Sequence, residues 1–106
     1  MNALKELYNV LENKEKVVSD IKVVNIAIAI TNWNCKKIIH VKRVEDLPLL
    51  NVEYDDGYGS QELEGIVLFK DGTWLEREEY DGSEWWRYLT PPTVDDVNNY
   101  LKDDHV

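Results

Sequence analysis

The sequence has little of what metal and disulfide chemistry requires: one cysteine, Cys35, and two histidines, His40 and His105, in 106 residues. A single cysteine excludes an internal disulfide and fits a reducing compartment; Cys35 reads as a small strand or turn residue rather than a reactive thiol. No Cys-x-x-Cys pair or His-x-Glu helix accompanies the histidines, so no converging ligand set can be assembled and neither a metal nor another cofactor is expected. His40 as a general base finds no nucleophile at a suggestive spacing. Glu76 and Glu78 are carboxylates on one strand, about 7 Å apart on the same face, with no pocket implied. The expectation is a protein that is not an enzyme.

Long apolar runs are also missing. The longest, Ile26 to Ile30, falls far short of the roughly 20 residues that span a bilayer. The start, MNALKELYNVLENKEK, carries acids where a secretory signal would have a basic segment and an apolar core. These features predict a soluble, cytoplasmic protein without membrane contact.

Positive charge is scarce and unevenly placed. Twelve Lys/Arg face 21 Asp/Glu, for a net charge of -9. Residues 1–43 hold eight basic and four acidic side chains, whereas residues 44–106 hold four and 17. An acidic field of this kind repels nucleic acid and acidic membrane surfaces and speeds encounter with a basic partner.

Against these absences stands a globular composition, 43% hydrophobic, with the 11 aromatic residues concentrated in the second half. A chain of this length can bury a core without staples, and a single domain over residues 1–106 is expected. Leu4, Leu7, Tyr8 and Leu11 recur at helical spacing and predict an amphipathic helix over 3–13. From Asp20 the period becomes two. Val24, Ile26, Ile28 and Ile30 point one way, Asn25, Ala27 and Ala29 the other, giving a strand over 21–31 whose small face lets a helix come close. A β-branched run over 36–43 completes a hairpin, with Trp33 at its tip as an exposed anchor or, the favoured reading, a lid on the core.

Pro48 and the run DDGYGS exclude a long regular element between Val44 and Gly65, leaving room for a short strand over 50–54. In "DDGYGSQELEG" the glycines and acids lack both the Lys-Ser/Thr end of a phosphate loop and the ligand spacing of a calcium loop, so a structural turn is the reading. Three strands follow, over 64–70, 73–80 and 84–89, joined at Asp71-Gly72 and Asp81-Gly82, dipeptides suited to tight hairpins. Thr93 then caps a helix over 93–102, with Asp95 and Asp96 in its first turn and Val94, Val97 and Leu101 on one face. The predicted class is α+β: an antiparallel sheet made of an N-terminal hairpin and a three-strand meander, flanked by terminal helices.

Two-residue turns fix register. Around Asp81-Gly82, Glu78 faces Trp85, Arg77 faces Trp86, Glu76 faces Arg87, Leu75 faces Tyr88 and Trp74 faces Leu89. Around Asp71-Gly72, Phe69 faces Trp74 and Leu68 faces Leu75. One surface then carries Ile66, Leu68, Leu75, Arg77, Trp86 and Tyr88, and the other Val67, Phe69, Trp74, Glu76, Glu78, Trp85 and Arg87. A cation-π contact of Arg77 on Trp86 and an ion pair of Glu76 with Arg87 follow. Plain sheet chemistry accounts for most of this pattern. Two helices cannot cover both faces, however, and aromatic area around Trp85 is expected to stay exposed among carboxylates, the composition of a protein-binding hot spot.

The run "FKDGTWLEREEYDGSEWWRY", preceded by "LPLLNVEYDDGYGSQELEG", resembles a family of small bacteriophage proteins with no assigned chemistry. The resemblance covers residues 47–89, less than half of the chain. It implies a setting, the bacterial host cytoplasm, and an activity by association: small acidic phage proteins often bind and disable a host protein.

Joined to the acidic, aromatic surface read from the residues, the resemblance implies an acidic phage-type inhibitor of a bacterial host protein of defence or nucleic-acid metabolism. The protein would not bind nucleic acid directly; its carboxylates would stand in for phosphates. The surface is assigned to Glu76, Glu78, Glu79, Asp81 and Glu84, with Asp55, Asp56, Glu62 and Glu64 nearby, and with Trp85 and Trp86 adding apolar contact. An immunity protein or antitoxin plugging a basic toxin site, and a homodimeric assembly protein, are the alternatives.

Overall fold

The computed structural model describes residues 1–31, 36–54 and 62–100. Trp33 and Cys35, Asp55 and Asp56, His105 and the end of the predicted C-terminal helix, including Leu101, lie outside the described residues. Helix α1 spans Ala3–Asn13. The Asn2 side chain caps it by accepting from the Lys5 backbone N–H at 3.0 Å, which satisfies one of the donors a helix start leaves orphaned. At its other end Lys16 N–H donates to Leu11 O and Glu15 N–H to Glu12 O. Glu15 adopts the left-handed conformation (φ 57°) that this paired closure requires.

The strands β1 (Ile21–Thr31), β2 (Lys36–Val41), β3 (Leu63–Phe69), β4 (Trp74–Tyr80) and β5 (Ser83–Leu89) form one antiparallel sheet in the order β2-β1-β3-β4-β5. The class read from the sequence is therefore the fold observed. The alternation along β1 also holds: Val24, Ile26 and Ile28 are buried on one face. Gly65 on β3 pairs with Ile26, and a Cβ there would lie 2.7 Å from Asn25 O and 2.9 Å from Ile26 Cα. Only glycine lets β1 and β3 approach so closely.

The two meander turns differ. In the β4–β5 turn both Asp81 (φ 53°) and Gly82 (φ 86°) have positive φ. That two-residue turn yields the predicted register, from Trp74 with Leu89 to Tyr80 with Ser83. In the β3–β4 turn Gly72 (φ 90°) is positive and Asp71 is not. Phe69 N–H donates to Thr73 O, and Gly72 N–H to Phe69 O, which makes a three-residue loop of Lys70, Asp71 and Gly72. The Asp71 carboxylate holds this shape by accepting from Thr73 N–H at 3.0 Å and Thr73 Oγ1 at 2.5 Å. Trp74 consequently faces Leu68, and Leu75 faces Val67, one residue away from the predicted pairing. A one-residue slip moves the whole strand to the other face. Val67 and Phe69 thus join Leu75, Trp86 and Tyr88 in the core, while Ile66 and Leu68 change sides.

One face of the sheet is covered. Ala3, Leu7 and Leu11 of α1, with Leu47 and Leu50 of a 3₁₀ segment (Val44–Leu50), share a buried cluster with Val24, Ile26, Ile28, Val41, Leu63, Val67, Phe69 and Leu75. The short strand expected over 50–54 does not form, and the 3₁₀ segment ends where it would begin. Pro48 sits inside that segment, and extended pairing over 50–54 is limited to one bridge between Asn2 and Glu53. The second terminal helix, α2 (Val94–Asn98), buries none of its residues. The Cα radius of gyration is 16.2 Å, with extents of 54 × 33 × 20 Å, against about 13 Å for a compact chain of this length. Residues 90–100 form an arm rather than a second cover.

Candidate binding surface

The covered face ends in a charged cluster. The Arg77 side chain is fully buried and so is that of Glu84. Arg77 Nε and Nη2 donate to Glu84 Oε1 at 3.1 and 3.0 Å, and Nη1 donates to Glu6 Oε2 at 2.9 Å. Arg77 Nη2 also reaches the Tyr54 hydroxyl, which in turn donates to Glu6. Glu84 accepts further from the backbone N–H of Glu62 (2.9 Å) and Leu63 (3.1 Å), tying β5 to the entry of β3. The guanidinium lies over Trp86, 5.3 Å from the ring centroid, and over Tyr54, at 5.4 Å.

A charge buried this deeply is tolerated only when every donor is met, and removal of one partner costs far more than the pair contributes. Burial works against the Arg77 charge, but the Glu6 hydrogen bond and the surrounding charges outweigh it and raise its pKa. Burial, and the hydrogen bond to Glu6, push the Tyr54 hydroxyl well above its ordinary range, so it stays protonated. The cluster anchors α1, β4, β5 and the Tyr54 segment to one another.

The opposite face has no such cover. By strand alternation it carries Val23, Asn25, Ala27 and Ala29 on β1, Ile38 and His40 on β2, Glu64, Ile66 and Leu68 on β3, Trp74, Glu76 and Glu78 on β4, and Trp85 and Arg87 on β5. Trp85 is 42% exposed and Ile66 41%. The side chains steady one another. Trp74 Nε1 donates to Glu76 at 3.0 Å, and Arg87 Nη1 lies 3.5 Å from Glu78. The ion pair expected between Glu76 and Arg87 is therefore absent; Glu76 is taken by its strand neighbour and Arg87 reaches the diagonal acid instead. Between β1 and β3 the small residues Ala27 and Gly65 leave an open trough of about 240 Å³, also lined by Asn25, Glu64 and Ile66.

The residues assigned from sequence thus separate. Glu64, Glu76, Glu78 and Trp85 come together on the open face. Glu84 and Trp86 do not: both are buried on the core face, because they share strand parity with Tyr88 rather than with Trp85. As a buried ligand of Arg77, Glu84 is unavailable to a partner. Glu79 is exposed and accepts from Gly82 N–H at 2.8 Å, so with Asp81 it belongs to the β4–β5 turn. Glu62 is half-buried at the start of β3. Trp74 was placed on this face from sequence but not among the assigned contact residues, and Ile66 and Leu68 were placed on the other face. The aromatic signal of Trp74 was visible, but the assumed turn length put Leu68 and Ile66 on the wrong face.

Among the described residues no group of three or more His, Cys, Asp or Glu could hold a metal ion, and no helix is long and apolar enough to cross a membrane. No protein-family model, curated protein sequence or solved structure matches this chain.

Proposed function

We propose that the protein is a non-catalytic binding protein whose open sheet face docks onto a basic, apolar-lined surface of another protein. The observation that carries this reading is an uncovered sheet face on which Trp74 and Trp85 stand among Glu64, Glu76 and Glu78. Exposed tryptophan supplies desolvated contact area, and carboxylates around it select a positively charged partner and raise the encounter rate. The fixing of these acids by Trp74 and Arg87 reduces the entropy lost on binding. With the phage-type motif of residues 69–88, the reading extends to inhibition of a bacterial host protein. The target would be a defence or nucleic-acid-binding protein whose phosphate-binding surface is occupied by these carboxylates.

The test is a pull-down from bacterial lysate with tagged protein at low and high salt, beside a Glu76→Gln/Glu78→Gln/Trp85→Ala variant. A nucleic-acid-binding protein retained at low salt by the wild type and lost with the variant supports the proposal, since competitors of nucleic acid release their partners as salt rises. A small basic toxin retained in the same way would assign the surface to an immunity protein or antitoxin. Equal retention by the variant would remove the open face from the account.

A further inference from the structure

We infer that the outer edge of β5 is a self-association site, at which two copies pair antiparallel around a two-fold axis at Trp86 and join their sheets into one. β5 is the last strand of the sheet. The two-residue turn lets Tyr80 and Ser83 exchange the first ladder bonds, so Trp85, Arg87 and Leu89 also turn their N–H and C=O groups towards β4. Glu84, Trp86 and Tyr88 turn theirs outward, and among the described residues no strand or other backbone group meets them. Strand edges left open in this way are usually blunted by lysine or proline. β2, at the other edge, exposes Lys37, whereas Ser83–Leu89 holds neither residue type. Its one inward-pointing charge, Glu84, is matched by Arg77.

The strand is its own complement in length. Antiparallel partners set outward-facing residues against outward-facing residues, so a two-fold axis must pass through a residue of β5 rather than between two. Trp86 is the midpoint of Ser83–Leu89, and an axis there overlaps the whole strand. Trp86 then meets its own copy, Glu84 meets Tyr88, Trp85 meets Arg87 and Ser83 meets Leu89. An axis at Glu84 or Trp85 runs part of the strand into the Asp81-Gly82 turn, where both residues have positive φ. An axis at Arg87 sets two guanidinium groups directly opposite each other. An axis at Tyr88 brings Pro92, which has no N–H, opposite Glu84.

Charge and side-chain fit select the same register. Residues 44–106 hold four basic side chains against 17 acidic ones, which sets most of this half against a second copy of itself. Ser83–Leu89 has one of each, Glu84 and Arg87. Around an axis at Trp86, Trp85 and Arg87 oppose each other twice, at the non-hydrogen-bonded positions where side chains stand closest, about 4.5 Å between Cα atoms. Both are exposed, Trp85 at 42% and the Arg87 side chain at 59%, so each guanidinium can lie on the indole of the other copy. An isologous contact of this kind makes every interaction twice. Both open faces then lie on the same side of one continuous sheet. The pairing covers the flank of Trp85 and leaves Trp74, Glu76, Glu64 and Ile66 of both copies uncovered, so it extends the proposed docking surface without depending on it.

Light scattering on the full-length wild type should give twice the 12.4 kDa chain mass. Trp85→Arg sets a like charge against Arg87 of the other copy and should return the protein to monomer, while Trp85→Arg/Arg87→Glu restores opposite charges and should recover the dimer. Circular dichroism checks that each variant is folded. Register is read in a Cys35→Ser background by mixing tagged Ser83→Cys with untagged Leu89→Cys chains under mild oxidation. A disulfide should link the two. Ser83→Cys alone should not link, because its two copies lie at opposite ends of the paired strands, ~20 Å apart. The inference is overturned if the wild type is monomeric up to its solubility limit, or if folded Trp85→Arg keeps the doubled mass. It is equally overturned if Ser83→Cys links to itself as readily as to Leu89→Cys. A monomer whose Glu84, Trp86 and Tyr88 amides gain hydrogen-exchange protection only in a captured complex would give the edge to the other protein and overturn it as well. The mass is measured with no other protein present, so failure of capture leaves this inference standing, and absence of the dimer leaves the proposed function standing.

Discussion

Trp85 and Trp86 are neighbours in sequence and opposites in the fold. Trp86 is packed under Arg77 on the covered face, and Trp85 stands open among Glu76, Glu78 and Arg87. The acids divide the same way. Glu84 is buried with four hydrogen bonds, whereas Glu78 pairs with Arg87 nearer the surface. Composition makes these pairs equivalent; strand parity makes one of each a buried structural residue and leaves the other on the open face, where the proposed binding would use it. The covered face therefore holds stability, and the open face is free to hold binding.

The comparison breaks most severely at Arg77. Arg77→Ala strands Glu6 and Glu84 without their cation, and a loss of about 3–5 kcal/mol is expected from urea denaturation. At ~4–8 °C per kcal/mol for a domain of this size, much of the thermal stability goes with it. Trp86→Ala should cost about 3–5 kcal/mol by leaving a large cavity. Trp85→Ala should change the same midpoint by less than about 1 kcal/mol. Glu84→Gln weakens its bonds to Arg77 and to the Glu62 and Leu63 backbone, with an expected cost of about 1–3 kcal/mol; Glu78→Gln should stay within about 0.5 kcal/mol.

A further effect is expected in pH dependence. The Tyr54 hydroxyl has its pKa raised by burial and by the Glu6 hydrogen bond, so above the unfolded value near 10 the folded state binds more protons than the unfolded one. Stability then falls as pH rises past ~10, and it is fully present below that. Tyr54→Phe should flatten the alkaline limb of the stability profile while lowering stability at neutral pH by about 1 kcal/mol for the lost hydroxyl bonds.

Much of this arrangement is legible before folding. The α1 boundaries, the small and bulky faces of β1, and the β4–β5 register follow from spacing and from one Asp-Gly turn. The second Asp-Gly turn misleads because the same dipeptide serves a three-residue loop when the Asp71 side chain binds Thr73. That choice depends on side-chain hydrogen bonds, not on dipeptide identity, and it decides the face of Ile66 and Leu68. Glu84 was hidden for a related reason. Its parity with Trp86 and Tyr88 marked it as inward, but a carboxylate is expected inward only if a cation waits there, and Arg77, Glu6 and Tyr54 are brought together by the fold from three separate segments.

The division of labour between the faces is tested most directly by carrying Trp85→Ala and Trp86→Ala through one lysate capture at low salt, with urea midpoints measured in parallel. The account requires Trp85→Ala to keep the wild-type midpoint and lose the captured partner. A Trp85→Ala protein that is fully folded and retains the partner at the wild-type level would contradict it.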